Sequence, residues 1–115
     1  MTIDFYFSED CPHNEEAFQA LLKVLKRNGW AAGIHRIVVK DETQAQKNRF
    51  LGSPTIRVNG IDLEEGADAN RDYKLGCREY TIDGAKTSVL NENFIELALK
   101  RIVAATEPDN AAERA

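Results

Sequence analysis

Ile3-Asp4-Phe5-Tyr6-Phe7-Ser8-Glu9-Asp10-Cys11-Pro12-His13-Asn14-Glu15-Glu16 is the stretch on which the reading of this chain turns. Its first five residues place Ile3, Phe5 and Phe7 on one face and Tyr6 on the other, the alternation of a half-buried strand. Ser8-Glu9-Asp10 breaks that pattern. A helix is expected next, because Pro12 suits the first helical position and Glu15 and Glu16 complement the positive end of the helix dipole. Its apolar stripe is Ala17, Phe18, Leu21, Leu22 and Leu25, spaced as on a core-facing helix. Lys26 and Arg27 suit its C-terminus, and Gly29 is a natural stop.

Working outward, Ile34 to Val39 is rich in β-branched residues and predicts a second strand. A shorter helix is expected over Glu42 to Leu51, with Ala45, Phe50 and Leu51 as its apolar face and Gly52 as its end. Thr55 to Val58 predicts a third strand, and Asn59-Gly60 a tight hairpin returning through Ile61-Asp62-Leu63. Glu65 to Gly76 is a polar loop, and Cys77 to Ile82 a further short strand ending at Asp83-Gly84. Asn91 caps the last helix, with Leu90 and Ile95 as a hydrophobic staple and Ile95, Ala98, Leu99 and Ile102 as its stripe. The early strand–helix–strand unit implies a parallel, right-handed crossover, and the hairpin adds antiparallel pairing. The expected architecture is a three-layer α/β/α domain over residues 1–105, with a mixed sheet of four to five strands. Residues 106–115 form a short polar stretch with a proline, expected to be a disordered tail.

With 115 residues, 43% of them hydrophobic, the chain can build one core without a metal or a disulfide lattice. A formal net charge of −4 argues against nucleic acid as a partner, since phosphate binding needs a basic face. No run approaches the roughly 18 apolar residues needed to cross a bilayer, so no membrane association is expected. The first residues lack the basic and apolar regions of a signal peptide, which points to the cytoplasm, where thiols are mostly reduced. The two cysteines show no metal-ligand spacing, and no metal or cofactor is expected.

Cys11 is the first candidate for chemistry. At a helix N-cap it would feel the helix dipole and unpaired N–H groups, both of which favour thiolate. It also follows the carboxyl end of a strand, where α/β sheets place ligands. The plain alternative is a buried structural thiol, which the polar neighbours Ser8, Glu9, Asp10, His13 and Asn14 argue against. Ser53-Pro54-Thr55, between a helix-ending glycine and a β-branched strand, is a candidate cis bond. Cys77 reads equally as a partner for Cys11 or as a small core residue opening a strand. His13 reads as a solvated residue, Trp30 as a core anchor, and Asp62, Glu64, Glu65 and Asp68 as a solvated acidic run.

The strand–Cys11-Pro12–helix opening, Gly52-Ser53-Pro54-Thr55-Ile56, the Asn59-Gly60 hairpin and the closing helix together resemble the thioredoxin-like superfamily, over Ile3 to Ala105. Gly52 to Gly60, with Asp62, Gly66-Ala67-Asp68 and Cys77-Arg78-Glu79-Tyr80, is similar to short bacterial thioredoxin-like proteins often labelled alkylmercury lyase. The resemblance implies that Pro54 is a cis-proline packed beside Cys11, with Pro12, Ser53, Pro54 and Thr55 offering an edge to a substrate. Thioredoxins carry a second cysteine three residues after the first, and that position here is Asn14. Cys11 is therefore a lone thiol or is resolved by Cys77. The function expected is thiol-based redox or thiol transfer, acting on a small thiol, a disulfide, or a thiol-bound soft metal such as mercury. The alternative is a non-catalytic module gripping an extended peptide along the Pro54 edge. A third reading is a homodimer subunit with no site, and fold alone does not choose among the three.

Overall fold

A computed structural model describes residues 1–107 of the chain. The elements run β1 (Thr2–Phe7), α1 (Asn14–Asn28), β2 (Gly33–Val38), α2 (Glu42–Lys47), β3 (Thr55–Val58), β4 (Ile61–Asp62), β5 (Tyr80–Ile82), β6 (Ala85–Thr87) and α3 (Glu92–Thr106). The main sheet has the order β2-β1-β3-β4. β1 pairs in parallel with β2, so that Phe5 faces Arg36, and antiparallel with β3, so that Phe5 faces Ile56. β4 closes the other edge through the Asn59-Gly60 turn, where both residues have positive φ, as a tight hairpin demands.

The alternation in β1 sorts the two faces of the sheet. Ile3, Phe5, Ile56 and Val58 pack with Leu21, Val24 and Leu25 of α1 and with Ile95, Leu99 and Ile102 of α3. Each fully buried side chain of this size contributes about 1.5–3 kcal/mol, so this face carries most of the stability. On the opposite face Tyr6 packs against Val39, Ala45 and Phe50, which brings α2 over the sheet. The chain is thus a mixed α/β domain with a four-stranded mixed sheet and helices on both faces.

Several boundaries differ from the sequence expectation, and the larger differences have local reasons. α1 begins at Asn14, because Pro12 and His13 continue the turn opened by the Cys11 N–H donating to Ser8 O at 3.2 Å. α2 stops at Lys47, because Arg49 turns left-handed at φ 54°. Arg57 Nη2 then donates to the carbonyls of Asn48 and Arg49 at 2.7 and 2.9 Å, so Phe50 and Leu51 are buried from the following loop. The segment Cys77 to Ile82 does not join the main sheet as a fifth strand. Only Tyr80–Ile82 is a strand, and it pairs with β6 in a separate two-stranded ribbon. That ribbon turns at Asp83-Gly84, both at positive φ, a hairpin signal whose second strand the sequence reading passed over.

Asn91 caps α3, its side chain accepting from the Phe94 N–H at 2.7 Å, and Leu90 and Ile95 are both buried. The helix extends through Thr106, one residue past the expected domain end. Asn59 Nδ2 donates to Thr106 Oγ1 at 2.8 Å and to Glu107 Oε2 at 2.7 Å, so the first two residues of the expected tail are held. The rest of that tail, 108–115, lies outside the described residues. Among the described residues no helix is long and apolar enough to cross a membrane.

Candidate functional site

β1 delivers the chain to a tight turn over Ser8 to Cys11, and the turn leaves Cys11 buried at 4% exposure. This corrects two expectations. Cys11 is not an exposed thiol despite its polar neighbours, and it lies three residues ahead of α1 instead of at its cap, which is His13. The turn folds the cysteine inward while Glu9, Asp10 and Pro12 take the solvent. Cys11 Sγ sits 3.5 Å from the carbonyl oxygen of Ser53.

Cys77, 66 residues further on, is joined to Cys11 in a disulfide with a Cα–Cα distance of 5.2 Å. Cys77 is only partly buried. Of the two residues it is the more exposed.

Beside the bridge lies the Ser53-Pro54 peptide, which is cis. Ser53 is fully buried, and every polar atom it has is used. Its N–H donates to Gly76 O at 2.7 Å and its carbonyl accepts from Arg78 N–H at 2.9 Å, which lays residues 76–78 alongside it in a parallel bridge centred on Cys77. Its Oγ accepts from Ser8 N–H at 2.9 Å and donates to Asn14 Oδ1, while Asn14 Nδ2 donates to Ser8 O at 2.8 Å. Pro54 O accepts from the Tyr80 hydroxyl, and Thr55 Oγ1 donates to Gly52 O at 2.7 Å. Ser53 therefore lies beside Cys11, and its backbone edge is covered by the chain's own Gly76–Arg78. The approach is so close that a Cβ on Gly52 would lie 2.8 Å from Arg78 Cα, at a φ of 114°. Only glycine satisfies both demands.

Arg78 was not singled out for a role in the sequence, and it organises the site. Its side chain is 2% exposed, and its guanidinium grips Asp62 with both Nη atoms at 2.9 Å. It also donates to Glu64 Oε1 and to Thr55 Oγ1, each at 3.2 Å, and lies 4.1 Å from the centroid of the Tyr80 ring. Burial works against its charge, but the carboxylates Asp62 and Glu64 bonded to it favour the charged form, and its pKa is raised. Burial likewise pushes the Tyr80 phenol well above its ordinary range, so it stays protonated and donates to Pro54 O. Two members of the acidic run thus neutralise a buried arginine. Their spacing held the signal: Asp62 and Glu64 sit on the same side of an extended segment, and a lone arginine follows Cys77.

The remaining candidates fall elsewhere. Pro12 is exposed, His13 pairs with Glu16 at 3.2 Å, and Glu65 pairs with Arg101 at 3.0 Å. Trp30 packs partly buried against the main core. A cleft of about 750 Å³, lined in part by Arg57, Ile61, Gly66 and Tyr73, has neither cysteine in its walls. Among the described residues no cluster of three or more His, Cys, Asp or Glu is placed to hold a metal. Compared with protein-family models, curated proteins and solved structures, the chain finds no match in any of the three.

Proposed function

We propose that this chain is a thioredoxin-like thiol–disulfide redox protein whose Cys11 and Cys77 alternate between a bridge and a dithiol. The observation that carries the reading is the placement of its two cysteines, 66 residues apart, against each other beside the buried Ser53. Asn14 holds no thiol for exchange within the first helical turn, and Cys77 takes that part from a distance. In a cytoplasmic setting such a bridge is transient and reports on redox state.

Exposure decides which sulfur meets the partner. The sequence favoured Cys11 as the entry point, but Cys11 is buried and Cys77 is not. A small thiolate attacks Cys77 Sγ, the sulfur–sulfur bond breaks, and Cys11 leaves as thiolate and takes a proton from water. A second thiolate attacks the partner's sulfur in the mixed disulfide, releasing the small disulfide and the Cys77 thiolate, which is protonated in turn. Bridge plus two small thiols becomes dithiol plus one small disulfide, and oxidation runs the same steps backwards. The peptide-gripping alternative loses its main support, since Gly76–Arg78 occupies the edge it needs.

The test is equilibration in buffers of glutathione and its disulfide, read by intact mass without reductant. The monomer should gain and lose two hydrogens reversibly, and Cys11→Ser should accumulate a glutathione adduct on Cys77. Two thiols that stay free at every ratio would overturn the reading.

A further inference from the structure

Resting on the redox reading above, we propose that Arg78 is the positioning residue of the pair: it clamps residue 77 against Cys11 whether or not the two sulfurs are bonded. The disulfide is not what holds this segment in place. Residues 76–78 are tied to Ser53 by two backbone hydrogen bonds, at 2.7 and 2.9 Å. Next in sequence to Cys77, the Arg78 side chain makes a bidentate ion pair with Asp62, a bond to Glu64 and a bond to Thr55. Bidentate arginine–carboxylate pairing fixes orientation as well as distance. Its anchors are themselves held: Thr55 and Asp62 belong to the paired strands β3 and β4, and Glu64 accepts from the Thr81 N–H at 2.7 Å. Tyr80 seals the layer, its ring against the guanidinium and its hydroxyl on Pro54 O.

None of these contacts involves a sulfur atom, so reduction itself breaks none of them. Residue 77 then stays opposite Cys11 in the dithiol, and little chain entropy remains to be lost when the bridge closes. Closure transfers two electrons from the two thiols to a small disulfide, which leaves as two small thiols carrying the two protons. A pre-positioned pair closes with a high effective concentration, which makes the bridge harder to reduce.

The experiment measures the bridge-closure equilibrium in glutathione buffers for wild type, Arg78→Lys, Asp62→Asn and Glu64→Gln. Arg78→Lys keeps the charge but not the fork. Each variant should lower the equilibrium constant, Arg78→Lys by at least tenfold, equivalent to about 30 mV. Ile102→Val, which trims the main core and removes none of the clamp's hydrogen bonds, should leave the constant within twofold although it lowers fold stability. Should Arg78→Lys fail to fold, amide exchange on the reduced wild-type protein decides instead. The amides of Ser53 and Arg78 should remain protected in the dithiol. Wild type that closes normally, with variants within twofold of it, or rapid exchange of those two amides on reduction, would overturn the clamp and leave the redox reading standing. A wild-type protein that never exchanges with glutathione disulfide would overturn both.

Discussion

Two arginines in this molecule are each bracketed by two carboxylates, and water separates their fates. Arg27, on the last turn of α1, reaches Glu92 at 2.8 Å and Glu96 at 3.3 Å on α3, with its side chain 48% exposed. Arg78 reaches Asp62 at 2.9 Å and Glu64 at 3.2 Å with its side chain 2% exposed. The first set is solvated, screened by salt and replaceable by hydration. The second has given up its hydration and depends on its partners, so removing one leaves a charge without compensation. The exposed bridge tunes the packing of two helices that the core already holds together. The buried one decides whether the loop carrying Cys77 has a fixed place.

Asp62→Ala presses hardest on that contrast. It removes both ends of the bidentate pair and leaves Arg78 with Glu64 and Thr55 alone. Losing one partner of a buried pair costs about 3–5 kcal/mol, a large part of a small domain's stability. Urea unfolding should show a correspondingly lower midpoint with an unchanged slope. A loss of under about 1 kcal/mol would mean that water reaches Arg78, and the two arginines would then be alike.

Asn14→Ala should cost less, about 1–2 kcal/mol, because its amide is only partly buried and bonds neutral partners. It ties the first turn of α1 to the carbonyl of Ser8 and to the hydroxyl of Ser53. Denaturant unfolding of the reduced protein checks the figure without interference from the bridge. A neutral substitution would show that Cys11 and the Ser53 loop are aligned by the Arg78 side alone.

What the sequence disclosed and what it hid follow the same division. The elements of the main layer were legible because apolar period is a strong local signal: Ile3 and Phe5 alternate, Leu21 and Leu25 repeat, and Asn91 caps. The Asn59-Gly60 turn was legible from turn chemistry, while the cis bond before Pro54 had only a weak local signal, to which the thioredoxin-like resemblance added. The inward fold of Cys11 was not, because its neighbours are polar and the burial comes from a turn that meets Ser53, 42 residues away. The clamp was not, because an arginine and two acids look alike whether they face water or one another. Only the fold brings Asp62 within reach of Arg78, 16 residues on. Gly76 read as the end of a polar loop and Cys77-Arg78 as a strand start, and their place on the Ser53 edge depends on contacts that no local pattern encodes.

The smallest effect is expected at Glu96, and its pH dependence shows whether the exposed bridge behaves as a screened pair. The Asn28 amide bonds Glu96 Oε2 at 2.6 Å, and Arg27 adds a second bond and its charge. The hydrogen bond from Asn28 and then that from Arg27 hold the Glu96 carboxyl below its ordinary value of 4.5. A carboxyl whose folded pKa is depressed stabilises the fold at pH above its unfolded value and loses that contribution as pH falls through the folded one. Glu96→Gln keeps an oxygen for Asn28 to bond and removes only the charge. The midpoints of wild type and variant should therefore differ slightly at neutral pH in low salt. The gap should narrow as acid protonates Glu96, and narrow again at neutral pH when salt is added. A gap that persists through acid and high salt would mean that Arg27 and Glu96 are coupled as Arg78 and Asp62 are, and that exposure is not what separates the two sets.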